Sequence, residues 1–121
     1  MELETISADF SVCQLSSLER VDWTRPFVFA CRTDEELSLV CEAGYEPAGA
    51  ARVEEGWRML RFRGTLDFGQ VGVVAALSAV LAWAGISIFV VSTYNTDYVL
   101  VKKDVFGQAR GELERHGYRV A

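Results

Sequence analysis

Gly72 and Asp97 are the two residues whose types and placement could do chemistry, and that chemistry is binding rather than bond-making. A glycine in the first turn of a helix leaves no side chain in the way, so a ligand carboxylate can reach the free N–H groups and the positive end of that helix. Asp97 can hold an amine or guanidinium by a charge-assisted contact at the far end of the same uncharged stretch. Each residue has a structural use too. Asp97 is equally suited to capping the Asn95-Thr96 turn, Gly72 can serve close packing between helices, and Tyr94 suits a half-exposed hairpin position.

Catalytic constellations are missing. The one histidine, His116, stands beside Gly117 at a helix end, where it complements the negative pole of the helix dipole. No Ser/His/Asp or Cys/His set has defensible spacing, and Gly69-Gln70-Val71-Gly72 lacks the Lys-Ser/Thr of a phosphate loop. Asp34, Glu35 and Glu36 read as the acidic start of a helix, not as metal ligands. Cysteines 13, 31 and 41 are odd in number without CxxC spacing, so they are expected to be small buried thiols of a reducing cytosol. No enzyme, metal or cofactor is expected.

The positioning elements follow from one feature. Residues 68–96 carry no charged side chain. A membrane span needs roughly 20 apolar residues in one helix, and Gly85 interrupts the run. Before it the chain is rich in Ala, Leu and Val; after it Ile86, Ile88, Phe89, Val90 and Val91 have strand composition. Helix over 70–84, a glycine stop, and strand over 86–92 are therefore expected. That excludes a span, as does the lack of flanking Lys/Arg clusters. The net charge of −5 excludes a nucleic-acid backbone as partner. The first residues contain no basic and apolar leader, which points to the cytosol.

Around that run, 57–63 alternates apolar and basic residues as a strand, and Asn95-Thr96 turns the chain into a strand over 97–102. Asp104 is expected to cap a helix through Arg115, with Gly117 as its stop and an edge strand over 118–121. The order β, α, β, β, α, β is that of an α+β, ferredoxin-like fold with a four-stranded antiparallel sheet and two helices on one face. The first half reads as a degraded copy. It has a strand over 10–15, a polar connection over 16–25, and an interior strand at 27–31 entered from Pro26. A helix capped by Thr33-Asp34-Glu35-Glu36 and ended by Gly44 follows, then a weak strand over 51–54 and a tight Glu55-Gly56 turn. The helix over 70–84 is apolar on its whole circumference and so needs cover on both sides, which implies a homodimer or an intrachain pair of units.

Residues 56–118 resemble a small ACT domain, especially Leu66-Asp67-Phe68, Gly72, Gly85-Ile86-Ser87-Ile88, Ser92-Thr93-Tyr94-Asn95-Thr96-Asp97-Tyr98 and Leu100-Val101-Lys102. The similarity is greatest to stand-alone bacterial tandem-ACT proteins, a subgroup related to CASTOR-type arginine sensors and to aspartate kinase regulatory domains. The Thr33 to Val40 segment resembles that subgroup's N-terminal half. The resemblance implies a divergent ACT-like unit at 1–55, an ACT domain at 56–121, and a regulatory module binding an amino acid or similar small molecule where ACT units meet. Its ligand contacts would fall on Asp67, Phe68, Gln70, Val71, Gly72 and Val74, and on Ser92, Thr93, Tyr94 and Asp97. Two positions depart from the sensors, which present an acid near Gln70 and a small residue at Asp67. The alternative reading is a ligand-free oligomerisation or protein-interaction module.

Overall fold

Gly85 turns the chain at φ +74°, and the uncharged run divides there. The helix α1, Val73–Trp83, ends in a pair of crossed bonds: Gly85 N–H to Ala82 O at 3.0 Å and Ile86 N–H to Leu81 O at 2.9 Å. These occupy carbonyls that the helix end leaves open, and they bring Ile86 against Leu81, both buried in one core. The second helix, α2 (Phe106–Arg115), closes in the same way. Gly117, at φ +91°, bonds Glu114 O at 3.2 Å, and Tyr118 N–H bonds Leu113 O at 3.0 Å.

The computed structural model describes residues 1–64 and 69–121. Its strands are β1 (Glu2–Leu15), β2 (Phe29–Arg32), β3 (Leu37–Glu42), β4 (Arg52–Phe62), β5 (Phe89–Ser92), β6 (Asp97–Lys102) and β7 (Arg119–Val120). Two compact units form, Met1–Ser7 with Arg58–Ala121 and Ala8–Trp57. The first seven residues thus join the later part of the chain.

In the unit Met1–Ser7 with Arg58–Ala121, the strands neighbour one another in the order β1, β4, β6, β5, with β7 on β1. The βαββαβ order is present, with one departure from the expected four-stranded sheet. The last strand, β7, runs parallel to β1, Leu3 opposite Val120, instead of lying on β4. Alternating carbonyls of β1 explain this insertion: Glu2 O accepts from Arg63 N–H at 3.0 Å and Leu3 O from Ala121 N–H at 2.9 Å. One sheet face gives Leu3, Leu60, Phe62, Val99, Val101 and Val120 to a core closed by Leu77, Leu81, Ala109 and Leu113 of the helices. The other carries an ion-pair ladder in which Glu2 meets Arg119 at 3.1 Å and Arg63 at 3.5 Å, and Glu4 meets Arg61 at 3.3 Å. Such exposed pairs stabilise little individually, and the core carries the fold. Asp104 lies in a 3-10 turn, Lys103–Val105, and α2 has no side-chain cap bond.

Cover for α1 comes from one side of the chain only. Leu77 and Leu81 are fully buried, while Trp83 is 91% exposed and Val71, just before the helix, 95%. Ala75, Ala76, Ala79 and Ala82 lie at the surface between them.

In the unit Ala8–Trp57 the expected helix after Thr33 is a strand. The Thr33 hydroxyl accepts from Glu35 N–H at 3.1 Å and Glu36 N–H at 3.0 Å, as a helix cap would. Here, however, Thr33 N–H also bonds Glu36 O at 2.9 Å, so the same residues close a β-turn between β2 and β3. Leu37, Leu39 and Cys41 then alternate into a core with Cys13, Leu15 and Val21. The expected interior strand, β2, pairs on one side with β3 and is largely exposed. Glu55-Gly56 is no turn: β4 passes through it with Gly56 at φ +80°. Nor does the first strand begin at Phe10; β1 starts eight residues earlier. Trp57 is buried and Trp23 exposed.

Cys13 and Cys41 are buried and Cys31 is exposed, against the expectation that all three are covered. Burial, reinforced by Cys13 and Glu46, pushes the Cys41 thiol up to about 12, which keeps it an inert apolar group. Burial also opposes ionisation of Glu46. Yet the bonds that its carboxylate accepts, from the buried Ser11 hydroxyl at 2.6 Å and Gly44 N–H at 2.9 Å among them, hold its pKa below the ordinary 4.5.

Three outcomes are expected. Gly85→Ala should cost about 1 kcal/mol in urea unfolding, because only positive φ opposes the added Cβ, which meets no atom within 4 Å. Gly107→Ala, in α2 with equal room and no positive φ, should gain about 0.5–1 kcal/mol. For Glu46 the depressed folded pKa means that its contribution is complete above 4.5 and fades as pH falls through the folded value. Glu46→Gln should therefore flatten part of the acid limb of a stability–pH profile, and an unchanged limb would contradict this role.

Candidate functional site

The two ends of the uncharged run meet. Within the unit Met1–Ser7 with Arg58–Ala121, a cavity of about 360 Å³ lies between the start of α1 and the β5–β6 turn, within the size range of small-molecule sites. Its walls are Gln70 with residues 72–75 on one side and residues 92–97 on the other.

Gly72 makes the first wall possible. It is the residue preceding α1, at φ +79° and ψ 11°, a left-handed conformation that L side chains adopt only under strain. A Cβ there would meet nothing within 4 Å, so close helix packing is not what the glycine serves. Its carbonyl accepts the first helical bond, from Ala76 N–H at 2.9 Å. Among the described residues no side chain caps the helix, and no acid occupies its first turn. The first-turn N–H groups, which an α-helix leaves without internal partners, stand at the cavity wall.

The second wall is a turn locked from inside. Thr93 N–H and Oγ1 both donate to Thr96 O, at 2.9 and 3.1 Å. Thr96 Oγ1, buried, donates to Phe62 O at 3.1 Å and ties the turn to β4. Ser92 and Asp97 face each other as the last pair of the hairpin. Since Thr93 and Thr96 make the closing bonds, Asp97 is not needed as a cap. Among the described residues nothing pairs with its half-buried carboxylate. Tyr94 stands 80% exposed at the rim.

Of the residues read from sequence, Gln70, Gly72, Val74, Ser92, Thr93, Tyr94 and Asp97 line this cavity together. Val71 does not; it points to solvent. Asp67 and Phe68 lie outside the described residues. Val73, Ala75, Asn95 and Thr96 also line it. Their only signal was adjacency to the others, since two fall within the all-apolar helix and two in the turn. His116 belongs elsewhere: its Nδ1 lies 2.9 Å from Glu112 O at the end of α2. It borders a second cleft of about 270 Å³ with Met1, Val73, Ala76 and Tyr118, where burial raises the Tyr118 phenol. Among the described residues no group of three or more His, Cys, Asp or Glu could hold a metal ion, and no helix is long and apolar enough to cross a membrane.

The βαββαβ order is ferredoxin-like, and the chain belongs to the ACT domain family, whose pattern matches residues 52–113. Over 62 residues, half of this chain, it is 42% identical to the cytosolic arginine sensor for mTORC1 subunit 1 of Homo sapiens and of Bos taurus. That match spans 19% of the sensor, so this chain corresponds to a small part of it. A solved protein from Agrobacterium tumefaciens is 30% identical with a TM-score of 0.88, covering 99% of this chain and 91% of that one. A Vibrio cholerae protein described as a possible transport protein is 27% identical with a TM-score of 0.72, covering 94% and 88%. Aspartokinase alpha and beta subunits, 14% identical with a TM-score of 0.64 over 95% and 96%, share the fold.

Thr96→Val should test the inner lock. It keeps the shape and leaves Phe62 O without its donor, and should cost about 1–3 kcal/mol in urea unfolding; no loss would show the bond to be dispensable.

Proposed function

We propose that this chain is a non-catalytic regulatory module that binds an amino acid in the cavity between α1 and the β5–β6 turn. The observation that carries the reading is the convergence of seven sequence-read positions on that one cavity. A carboxylate would lie on the first-turn N–H groups at Gly72, and Asp97 would hold the amine. Family membership and the similarity to an arginine sensor support a regulatory, amino-acid-binding role. Assembly belongs to the same reading. The uncharged α1 face from Val71 to Trp83 would be covered by a second copy in a homodimer.

The unit Ala8–Trp57 is read as a degenerate second ACT-like unit. In its support, the β2–β3 hairpin pairs Phe29 with Val40 through Arg32 with Leu37, and the β5–β6 hairpin pairs Phe89 with Leu100 through Ser92 with Asp97. Each pair recurs sixty positions on, and each turn is closed by a Thr, 33 and then 93.

The exposure of Trp83 and Val71 favours a second reading, in which the chain is an assembly module without ligand. Thermal shift against the twenty amino acids separates the two. Stabilisation by at least one at millimolar concentration, abolished by Asp97→Ala with the unliganded melting temperature retained, is expected for the sensor. A sedimenting dimer whose melting ignores all twenty would establish the assembly module instead.

A further inference from the structure

We infer that the outer edge of β2 is a docking site for an extended, basic segment of a partner protein, which joins the sheet there as a further strand. Among the described residues β2 pairs with β3 alone, and its Ala30, Cys31 and Arg32 are exposed. The backbone of this strand is half used. Thr33 N–H bonds Glu36 O, so residues 33 and 36 form a hydrogen-bonded pair, and bonded pairs alternate with non-bonded ones along an antiparallel ladder. Arg32 opposite Leu37 and Ala30 opposite Leu39 are therefore non-bonded pairs. The N–H and C=O groups of Ala30 and Arg32 point away from β3, and a strand laid along this edge meets a donor and an acceptor at each.

Charge decides the occupant. Residues 8–57 contain ten acids and four arginines, a net charge of −6, whereas the rest of the chain carries seven acids and eight bases. Three of those ten, Asp34, Glu35 and Glu36, follow β2 directly and are all exposed, against the single Arg32 on the strand itself. An incoming strand that extends past Arg32 runs beside that turn, which pairs its lysines or arginines and repels acids. A second copy would bring the same surplus of acid against this unit. A neutral segment would gain the backbone bonds without the attraction, and a basic segment gains both.

The test is fluorescence anisotropy of a dye-labelled Lys-Val-Lys-Val-Lys-Val peptide with the full chain at low salt. Two control peptides accompany it: Glu-Val-Glu-Val-Glu-Val, and the Lys-Val peptide N-methylated throughout, which keeps its charge and loses every backbone donor. The Lys-Val peptide is expected to bind, and each control to bind about tenfold more weakly or less. On the protein, Ala30→Pro removes an N–H that faces away from β3, a position where an edge strand accepts proline. It should weaken binding about tenfold with the melting temperature retained. Asp34→Asn with Glu35→Gln should weaken binding and flatten its salt dependence. Equal binding by the N-methylated peptide would overturn strand addition, whether or not the proline variant folds. Equal binding by the Glu-Val peptide would overturn the charge preference, and no binding of the Lys-Val peptide at millimolar concentration would overturn the site. A sedimenting dimer dissociated by Ala30→Pro would overturn the assignment in favour of a second copy.

Discussion

The left-handed turn at Gly85 is the constraint on which the rest depends. Without it, residues 68–96 would be one long apolar segment with no reason to fold back. With it, the Ile86 N–H bond to Leu81 O reverses the chain and delivers Ile86 to the core that holds Leu77 and Leu81. Strand β5 can then pair with β6, and the β5–β6 turn returns to the level where α1 began. The cavity exists because the two ends of one uncharged run are brought together by a reversal at its middle. The repetition of this closure at Gly117 lays β7 along β1 and finishes the unit.

Much of this was legible because glycines and composition coincide. Gly85 and Gly117 follow apolar helical runs, and the strand composition after Gly85 changes abruptly. Strand β6 has the bounds that its residues imply. The failures are equally physical. Thr33-Asp34-Glu35-Glu36 offers a hydroxyl acceptor two and three residues ahead of free N–H groups, and that chemistry serves a helix start and a β-turn alike. The alternation of Leu37, Leu39 and Cys41 was obscured by Val40, which is buried as well. Gly56 read as a turn because positive φ and strand continuation give one signal in sequence. The early start of β1 was hidden among acids whose partners, Arg61, Arg63 and Arg119, lie far along the chain.

The site was legible at its edges and not in its depth. Side chains such as Ser92 and Asp97 were readable by type, but the bonds that hold the turn are made by Thr93 and Thr96, and the buried Thr96 reaches to a carbonyl on β4. These bonds release Asp97 from structural duty. Among the described residues the half-buried Asp97 carboxylate has no protein partner, and Gly72, at the start of α1, makes no side-chain cap bond. The space around Gly72 is likewise open and not packed, since a Cβ there would meet no atom within 4 Å.

The three tryptophans divide the molecule spectroscopically. Trp57 is 8% exposed, whereas Trp83 is 91% and Trp23 56% exposed. Red-edge emission from solvated indoles therefore belongs to Trp23 and Trp83, and blue-shifted emission to Trp57. A quencher dissolved in water would silence the first pair and leave the third bright. Loss of the blue component would report the uncovering of Trp57, while protection of Trp83 from quencher would report the covering of α1, so the exposure of one element and the burial of another are written in separate colours of the same spectrum.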